Sequence, residues 1–357
     1  MGGEAKAASR EGEREDGERW VTRTFRLEFT TPAFLGDAGQ AGAWRTPPFK
    51  HLLREWWRVA WAARHGPSGW RRLRETEGRL FGHAWLETDR DRRGREVHAR
   101  RSGVLLRLEP WERGRMNRMP QTQPVGEGRQ KVPSGLYLGY GPVLQDRKSI
   151  RGGCAIDAEA HAELRLAFCE QVEGAELLGE TLSLIQAFGT VGGRGRNGWG
   201  SVRLLEGSEP LPLLRDVSRY ARDWRECLRL EEGWPCALGK DERGPLVWAT
   251  PPADSWKGAI ESLARVRKAV NQEAGRRRGR HVVSAPVPKN PKGRSRMPAS
   301  LRFKVRRTAD GGFQGVVFHM PYVAPPLARE DRRRIEAVWA SVHRLLDREA
   351  GLKRAGG

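Results

Sequence analysis

A stretch of six glycines and two arginines between residues 189 and 201, GTVGGRGRNGWGS, constrains the fold of this chain more than any other feature. Apolar residues at helical spacing precede it, and the alternating pattern of a strand follows it. Helix, glycine-rich loop and strand therefore follow one another here. Glycine has no Cβ, so such a loop can turn tightly and bring its backbone N–H groups close to a ligand. The apolar residues that predict the helix are Leu177, Leu178, Leu182, Ile185 and Phe188.

The order of these elements excludes a dinucleotide site. Gly193, Gly195 and Gly198 have the spacing G-x-G-x-x-G, but that motif must follow a strand and open a helix, because the pyrophosphate lies at the helix N-terminus. Two guanidinium groups in a glycine-rich loop instead favour a phosphate chain as the ligand. A flexible loop without function is the alternative. The residues predicted to bind are Gly192, Gly193, Arg194, Gly195, Arg196, Asn197 and Trp199.

The charge balance indicates a polyanionic partner. The chain of 357 residues has 65 Lys or Arg against 44 Asp or Glu, a formal net charge of +21. Such a surface attracts nucleic acid, and many of the 14 tryptophans stand beside arginines, where rings can stack on bases. Neither a C-x-x-C pair nor a histidine pair at zinc-ligand spacing occurs, so we expect no metal and no cofactor. Without a signal peptide or a run of about twenty apolar residues, we expect a cytoplasmic protein with no membrane partner.

Periodicity predicts a β-α-(α)-β-β-α-β order in the first half of the chain, typical of the split βαβ unit. The glycine-rich loop connects the last helix of this unit to its last strand. The strands are predicted at Trp20–Phe29, Ser102–Leu108, Leu136–Leu144 and Ala160–Phe168, and the helices at Phe49–Arg64, Trp70–Leu80 and Glu173–Phe188.

The second half repeats this plan, so we predict an α+β protein with two ferredoxin-like (RRM-like) domains in tandem and long basic insertions. Its strands are predicted at Leu246–Ala249, Leu301–Arg307 and Phe313–Met320, and its helices at Ser255–Ala274 and Arg332–Glu349. The predicted divisions are a disordered tail over 1–18, an N-terminal domain over 19–206, a helical bridge over 207–244 with a helix at Leu213–Arg229, and a C-terminal domain over 245–357.

Two basic segments outside the glycine-rich loop are further candidates for phosphate contacts. Lys50, Arg54 and Arg58 recur every four residues along the predicted helix at Phe49–Arg64, which makes a basic stripe along one face. A solvated helix face is the alternative. The loop over 276–298 is rich in Lys, Arg, Gly and Pro, and includes Arg294 and Arg296. Loops of this kind often fold along a phosphate backbone.

Several motifs together resemble the RAMP superfamily, and within it the first subunit of the type III-B CRISPR Cmr effector complex. A glycine-rich arginine loop after a helix is shared widely in that superfamily, whereas the Pro-Pro-Phe-Lys helix entry with paired tryptophans is more specific. The matches spread from about residue 20 to 320. They are Thr31-Pro32-Ala33-Phe34-Leu35-Gly36, the run from Arg45 to Trp57, Leu80-Phe81-Gly82, the run from Tyr137 to Pro142, Gly192–Gly200, and the run from Arg296 to Leu301.

The resemblance implies a pair of ferredoxin-like domains that bind RNA. It implies a subunit that caps the complex near the 3′ end of the CRISPR guide RNA and assists capture of the complementary target RNA, next to other RAMP subunits. Lys50 and Arg54 would then hold phosphates opposite Arg194, Arg196 and the glycine amides, and Arg294 and Arg296 would extend the track. Trp199 would stack on a base or wedge the loop.

Two other functional classes compete with this interpretation. A RAMP endoribonuclease that cuts target or precursor CRISPR RNA could use a loop aspartate, for which Asp37 is the candidate. Capping of the turn between Gly36 and Gly39 is the other role of that residue. A ribosomal or RNA-chaperone protein would also be basic, but would not require the glycine-rich loop and the helix entry together. We therefore expect an RNA-binding protein without catalytic residues.

Overall fold

A computed structural model describes residues 10–14, 18–66, 69–84, 86–91, 93–128, 131–144, 146, 148–230, 234–283, 299–323, 331–349 and 351–355. It has a mixed α+β architecture with several antiparallel sheets, as the sequence predicts. The strands are β1 (Arg10–Arg14), β2 (Glu18–Phe29), β3 (Val104–Glu109), β4 (Pro124–Val125), β5 (Val132–Pro133), β6 (His161–Cys169), β7 (Val202–Glu206), β8 (Glu209–Pro210), β9 (Ala221–Asp223), β10 (Leu238–Asp241), β11 (Gly244–Pro245), β12 (Val247–Ala253), β13 (Leu301–Arg307), β14 (Phe313–His319) and β15 (Lys353–Arg354). The helices are α1 (Thr46–His65), α2 (Trp70–Phe81), α3 (Ser134–Gly139), α4 (Leu178–Phe188), α5 (Trp224–Cys227), α6 (Trp256–Arg276) and α7 (Arg332–Arg348).

The first large sheet is built around β2, with β6 on one side and β7 on the other. Its order is β3-β6-β2-β7-β8, and each neighbouring pair is antiparallel. Phe25, Leu27 and Phe29 of β2 are buried and alternate with more exposed residues, because successive side chains of a strand point to opposite faces. One face of the sheet therefore packs on α1 and α4, and the other carries charged residues.

The second large sheet has the order β13-β14-β12-β15. In chain order its strands and helices run β12, α6, β13, β14, α7, β15. Numbered by their order along the chain, the four strands of this sheet therefore lie side by side in the order second, third, first, fourth. The corresponding strands of the first sheet, β2, β3, β6 and β7, are arranged in the same way. The two large sheets therefore share one strand order.

Helix α1 contributes a long buried apolar face to the first half of the chain. Two prolines stand at its first positions, where a missing N–H costs nothing. It ends at Gly66, which has φ +85°, a conformation that glycine adopts readily. Trp56, Trp57 and Trp61 are all buried within one large core, which also includes Phe318 of β14. Since burial of each large apolar side chain contributes about 1.5–3 kcal/mol, α1 holds the two halves of the chain together.

The joint between the halves is also hydrogen-bonded. Phe303 of β13 donates its N–H to the carbonyl of Arg196 at 3.0 Å, and Asn197 forms a parallel bridge with Phe303. The Thr30 hydroxyl donates to the carbonyl of Val305 at 2.7 Å. The second sheet is therefore attached to the glycine-rich loop of the first.

Two predicted elements are wrong. The strand predicted at Leu136–Leu144 is instead the short helix α3, followed by a turn. Gly139, Gly141 and Pro142 interrupt the extended pattern there, and Leu136 and Leu138 are buried where α3 packs against α6. Tertiary packing overrides the alternating pattern.

The helix predicted at Leu213–Arg229 is also wrong. Only a 3-10 turn at Ser218–Tyr220, the strand β9 and the four-residue helix α5 form there. Asp223 accepts N–H bonds from Arg225 and Glu226, so the helix can begin only after this cap. Part of the tail predicted to be disordered is paired as well, because β1 lies antiparallel to β2.

A buried histidine pair connects β14 to α7. His343 Nε2 lies 3.0 Å from His319 Nδ1, and the His319 ring stacks on Trp339 with centroids 4.0 Å apart. Ser300 Oγ lies 3.3 Å from His319 Nε2. Burial lowers the pKa of His319 well below its usual value, with His343 adding to the effect. Burial, assisted by the positive charge of nearby arginines, lowers the pKa of His343 to about 3.

This pair should make the fold sensitive to mild acid. The folded pKa of His343 is below its unfolded value of 6.5, so the unfolded chain binds the proton first and stability falls as the pH drops from about 6.5 toward 3. We expect His343→Gln to flatten the slope by about 1.4 kcal/mol per pH unit in this window. Urea unfolding at pH 7, 6, 5 and 4.5 measures it, and exposed His161→Gln is the control. An unchanged slope in His343→Gln would contradict the prediction.

Candidate nucleic-acid interface

The glycine-rich loop, residues 189–201, is a compact folded turn. Its amides at Gly193, Gly195, Asn197 and Gly198 donate to the carbonyls of Phe34, Gly192, Arg194 and Gly195. These bonds are 2.8–3.2 Å long. The expectation that these N–H groups cradle a phosphate is therefore wrong for these four positions. Their donors are satisfied within the protein, so these four amides are not available to a ligand.

Trp199 is a core residue of this loop. It has 0% exposure, and its ring contacts Phe34 and Trp256 with centroid distances of 5.4 and 6.1 Å. A ring with no exposed surface cannot stack on an incoming base. The sequence left two roles open for Trp199. Stacking on a base is excluded, and the role that fits the geometry is that of a wedge whose packing fixes the loop.

The two arginines of the loop point to different places. Arg194 is exposed, and its Nε donates to the carbonyl of Tyr140 at 2.6 Å. Arg196 is half-buried, and its Nη1 lies 3.4 Å from the carbonyl of Ala299. Burial lowers the pKa of Arg196, and the charge of Arg302 lowers it further. Asn197 donates its side-chain amide to the carbonyl of Leu138 at 2.8 Å, which is a structural bond.

The basic stripe of α1 is mostly ion-paired. Arg54 and Arg58 both bind Glu77 of α2, with N–O distances of 2.6 and 2.8 Å. Glu77 is only 3% exposed, and a buried carboxylate requires such partners. The prediction that these two arginines form an open phosphate track does not fit this arrangement. Lys50 is half-buried and belongs to the same stripe; burial lowers its pKa, and Arg54 adds to the shift.

Arg302 is a buried cation that the sequence analysis missed. It is 4% exposed, and its Nη1 forms an ion pair with Glu55 of α1 at 2.7 Å. Its Nε and Nη2 atoms are buried and, in the part of the chain that the structure describes, have no hydrogen-bond partner. Burial would raise the pKa of Glu55, but the charges of Arg302 and Arg196 lower it. Only the alternation of β13 could have indicated an inward-facing arginine.

Tyr140 and Arg151 are two further surface residues that the sequence analysis did not select. Tyr140 is 52% exposed and stands directly after α3. Arg151 is exposed, and its Nε donates to the carbonyl of Gly141 at 3.0 Å. Arg194 comes to the same turn from the glycine-rich loop. In the sequence, the two tyrosines among glycines in YLGYGP could have indicated this site.

Arg294 and Arg296 lie outside the described residues, as does the stretch 284–298 of the basic loop. The described residues end at Val283, before this segment, and resume at Ala299, after it. Ala299 is the residue whose carbonyl faces Arg196. Both flanking residues therefore belong to the second half of the chain, and Ala299 lies beside the glycine-rich loop.

Asp37 has the geometry of a turn residue. Its carboxylate accepts the N–H of Ala41 at 2.9 Å, and its carbonyl accepts the N–H of Gln40 at 3.0 Å. Arg113 Nη2 lies 4.0 Å from its carboxylate. Among the residues described, no three His, Cys, Asp or Glu side chains come together as a metal ion would require. Nor is any helix in the described ranges long and apolar enough to cross a bilayer.

The outward face of the first sheet carries paired charges. Arg165 contacts Glu163 at 2.6 Å, Arg203 contacts Glu28 at 2.9 Å, and Arg107 pairs with Glu109. RNA-binding sheets of the RRM type instead present aromatic rings on this face. The loop side of the first half, where Arg194, Tyr140 and Arg151 meet, is therefore the better candidate for an RNA contact.

Comparisons with known proteins give distant structural likenesses. No protein-family model matches the chain, and no curated protein matches it. Among solved structures, it is similar to Cmr1 from Pyrococcus furiosus in its apo form, with 12% identity, a TM-score of 0.46 and coverage of 93% of this chain and 98% of that one. It is also similar to a chain of the type III-B Cmr-beta complex bound to cognate target RNA, with 11% identity, a TM-score of 0.45 and coverage of 90% and 99%.

A further state of that complex, bound to cognate target RNA and AMPPnP in the presence of single-stranded DNA, gives 10% identity, a TM-score of 0.42 and coverage of 90% and 98%. These are proteins of the class that the sequence motifs resemble.

Proposed function

We propose that this protein is an RNA-binding, non-catalytic subunit of a type III-B CRISPR ribonucleoprotein. In this role it caps the complex near the 3′ end of the guide RNA and assists capture of the complementary target RNA in antiviral defence, next to other RAMP subunits. The observation that carries the proposal is the glycine-rich loop. It is bonded to both halves of the chain and presents Arg194 on an exposed basic surface.

Three features of the chain support this proposal. The motifs that resemble the Cmr subunit run through both halves. Both large sheets have the strand order second-third-first-fourth with antiparallel neighbours, which is the order of a split βαβ unit, so we assign ferredoxin-like domains to 19–206 and 245–357, with 207–244 between them. The net charge of +21 suits a polyanion.

The nuclease alternative has less support from the geometry. A catalytic aspartate must reach the RNA or a metal ion, whereas the carboxylate of Asp37 accepts the Ala41 amide of its own turn. Labelled single-stranded RNA incubated with and without divalent metal ions should therefore be retarded and remain intact. Cleavage that Asp37→Ala abolishes would overturn the non-catalytic assignment.

We predict that Arg194→Ala weakens binding of single-stranded RNA by roughly tenfold, because a guanidinium–phosphate bond is a strong charge-assisted contact. The slope of log affinity against log salt should also decrease by about 0.7, the value of one phosphate contact to a single strand. Titration of a labelled RNA at four salt concentrations measures both quantities.

Arg165→Ala is the matched control for this test. It removes the same charge from an exposed arginine on the outward face of the first sheet, where Arg165 pairs with Glu163. If both variants lose affinity equally, only the net charge matters and the loop assignment is wrong. If the unsubstituted protein does not bind single-stranded RNA, the proposed function itself fails.

A further inference from the structure

We propose that Tyr140, Arg151 and Arg194 form a single-nucleotide subsite in which the Tyr140 ring stacks on a base and the two arginines hold the flanking phosphates. This inference rests on the proposed function and goes beyond it, because it names the residue that contacts a base. We call these three residues the Tyr140 platform.

The Tyr140 ring lies at the surface. The largest aromatic side chains of the described chain are mostly in the core, and seven tryptophans including Trp56, Trp199 and Trp248 are fully buried. Tyr140 instead exposes 52% of its surface. Tyr140 is thus one of the few large exposed rings of the described residues, and every base has a face on which such a ring can stack.

Two cations meet at the backbone turn that carries this ring. Arg194 and Arg151 come from different loops, yet they donate their Nε atoms to the consecutive carbonyls of Tyr140 and Gly141. An arginine held at its Nε keeps a fixed direction, so less side-chain entropy is lost when it binds a phosphate. Arg194 also has φ +58°, a strained conformation for a residue with a Cβ.

The backbone under the platform is held by hydrogen bonds. Val143 donates to the carbonyl of Gly139 at 2.9 Å, and Arg151 donates its N–H to the carbonyl of Pro142 at 2.8 Å. The side chain of Asn197 ties the preceding residue, Leu138, to the glycine-rich loop. The ring and both guanidinium groups are therefore attached to one frame.

Trp111, a more exposed ring, lacks this combination. Trp111 is 68% exposed, but it stands between Glu109 and Glu112 along the chain, and a phosphate backbone is repelled by carboxylates. Nearby Asp146 is the acid closest in sequence to the platform turn, and its carboxylate accepts from Lys148 and Ser149 within its own turn. Its charge is directed into that turn, and the two guanidinium groups of the Tyr140 platform outnumber it.

The test uses the full chain and a single-stranded RNA that carries the fluorescent base 2-aminopurine. Stacking on Tyr140 should quench this base, and Tyr140→Ala should relieve the quenching and weaken binding by about tenfold, within the range measured for loss of one stacked base. Tyr140→Phe keeps the ring and should bind like the unsubstituted protein. Trp111→Ala, which removes another exposed ring, should also bind normally.

The outcomes separate the two proposals. If the unsubstituted protein binds RNA and Tyr140→Ala binds equally well with the same quenching, the subsite is wrong while the proposed function stands. If the unsubstituted protein does not bind RNA, both fail. Tyr140→Ala and Tyr140→Phe should unfold at the same temperature, since the replaced ring is at the surface, and an unequal temperature for Tyr140→Ala would assign the ring a structural role instead.

Discussion

Replacement of Lys304 by methionine is expected to lower the free energy of unfolding by about 3 kcal/mol or more. Lys304 of β13 is 1% exposed, and its ammonium donates to the carbonyls of Ile185, Gln186 and Val202, each at 2.8 Å. An ammonium has three N–H donors, so the arrangement satisfies each of them. Burial lowers the pKa of Lys304 well below its usual value, and the charge of Arg306 adds to the effect.

The effect is large because these carbonyls belong to the other half of the chain. Ile185 and Gln186 lie in the last turn of α4, where helix carbonyls run out of backbone partners and a positive charge is favoured. The Ile185 carbonyl also accepts the N–H of Gly189 at 2.7 Å. Val202 begins β7, so the ammonium also bonds the strand that follows the glycine-rich loop. Methionine fills the same volume but donates nothing, and at least the helix-end carbonyls would stay buried without this partner.

Urea unfolding of Lys304→Met against Lys240→Met measures the prediction. Lys240 lies in β10 with an exposed side chain, and a surface substitution there should change stability by less than about 0.5 kcal/mol. The midpoint for Lys304→Met should fall with little change in the slope. Equal midpoints for the two variants would mean that the three bonds contribute nothing net.

Helices and strands that depend only on residues close together in the sequence could be predicted from it. The helix predicted at Ser255–Ala274 is α6, Trp256–Arg276, and the strand predicted at Leu301–Arg307 is β13 with the same ends. In both cases the period of the apolar residues decides the structure, and Ser255 accepts the N–H of Gly258 as a cap. Local information is sufficient there.

The pairing of charges could not be predicted, because the partners are far apart in the sequence. Glu77 lies 23 residues after Arg54, and Lys304 lies 119 residues after Ile185. A stripe of cations has the same pattern whether it faces a carboxylate or an RNA. The same holds for Trp199, whose burial depends on Phe34 and on Trp256. Candidate phosphate contacts selected by residue type therefore include structural residues.

The role of the loop glycines also could not be predicted from the sequence. The sequence predicts that they leave room for a ligand, whereas the structure fills that room with protein. A Cβ at Gly192 would lie 2.7 Å from the carbonyl oxygen of Phe34, and one at Gly200 would lie 2.0 Å from that of Val191. Real Cβ atoms do not approach so closely, so these glycines are required for packing of the loop itself.

Gly200→Ala should therefore destabilise the protein far more than Gly207→Ala. Both positions have positive φ, +59° and +64°, so an alanine costs roughly 1–2 kcal/mol in backbone strain at either one. At Gly207 a Cβ would meet nothing within 4 Å. At Gly200 it would meet the Val191 carbonyl, which must move although it belongs to the backbone of the loop. We expect an additional loss of about 2 kcal/mol or more for Gly200→Ala.

Thermal unfolding of the two variants side by side measures this difference, and equal midpoints would show that the loop relaxes at no cost. The comparison also connects stability to function. Gly200 donates to the carbonyl of Pro32 and accepts from Val191, so its displacement should shift the turn that carries Arg194. At a temperature where both variants are folded, Gly200→Ala should bind single-stranded RNA more weakly than Gly207→Ala. If the affinities are equal, Arg194 does not depend on the packing of the loop for its position.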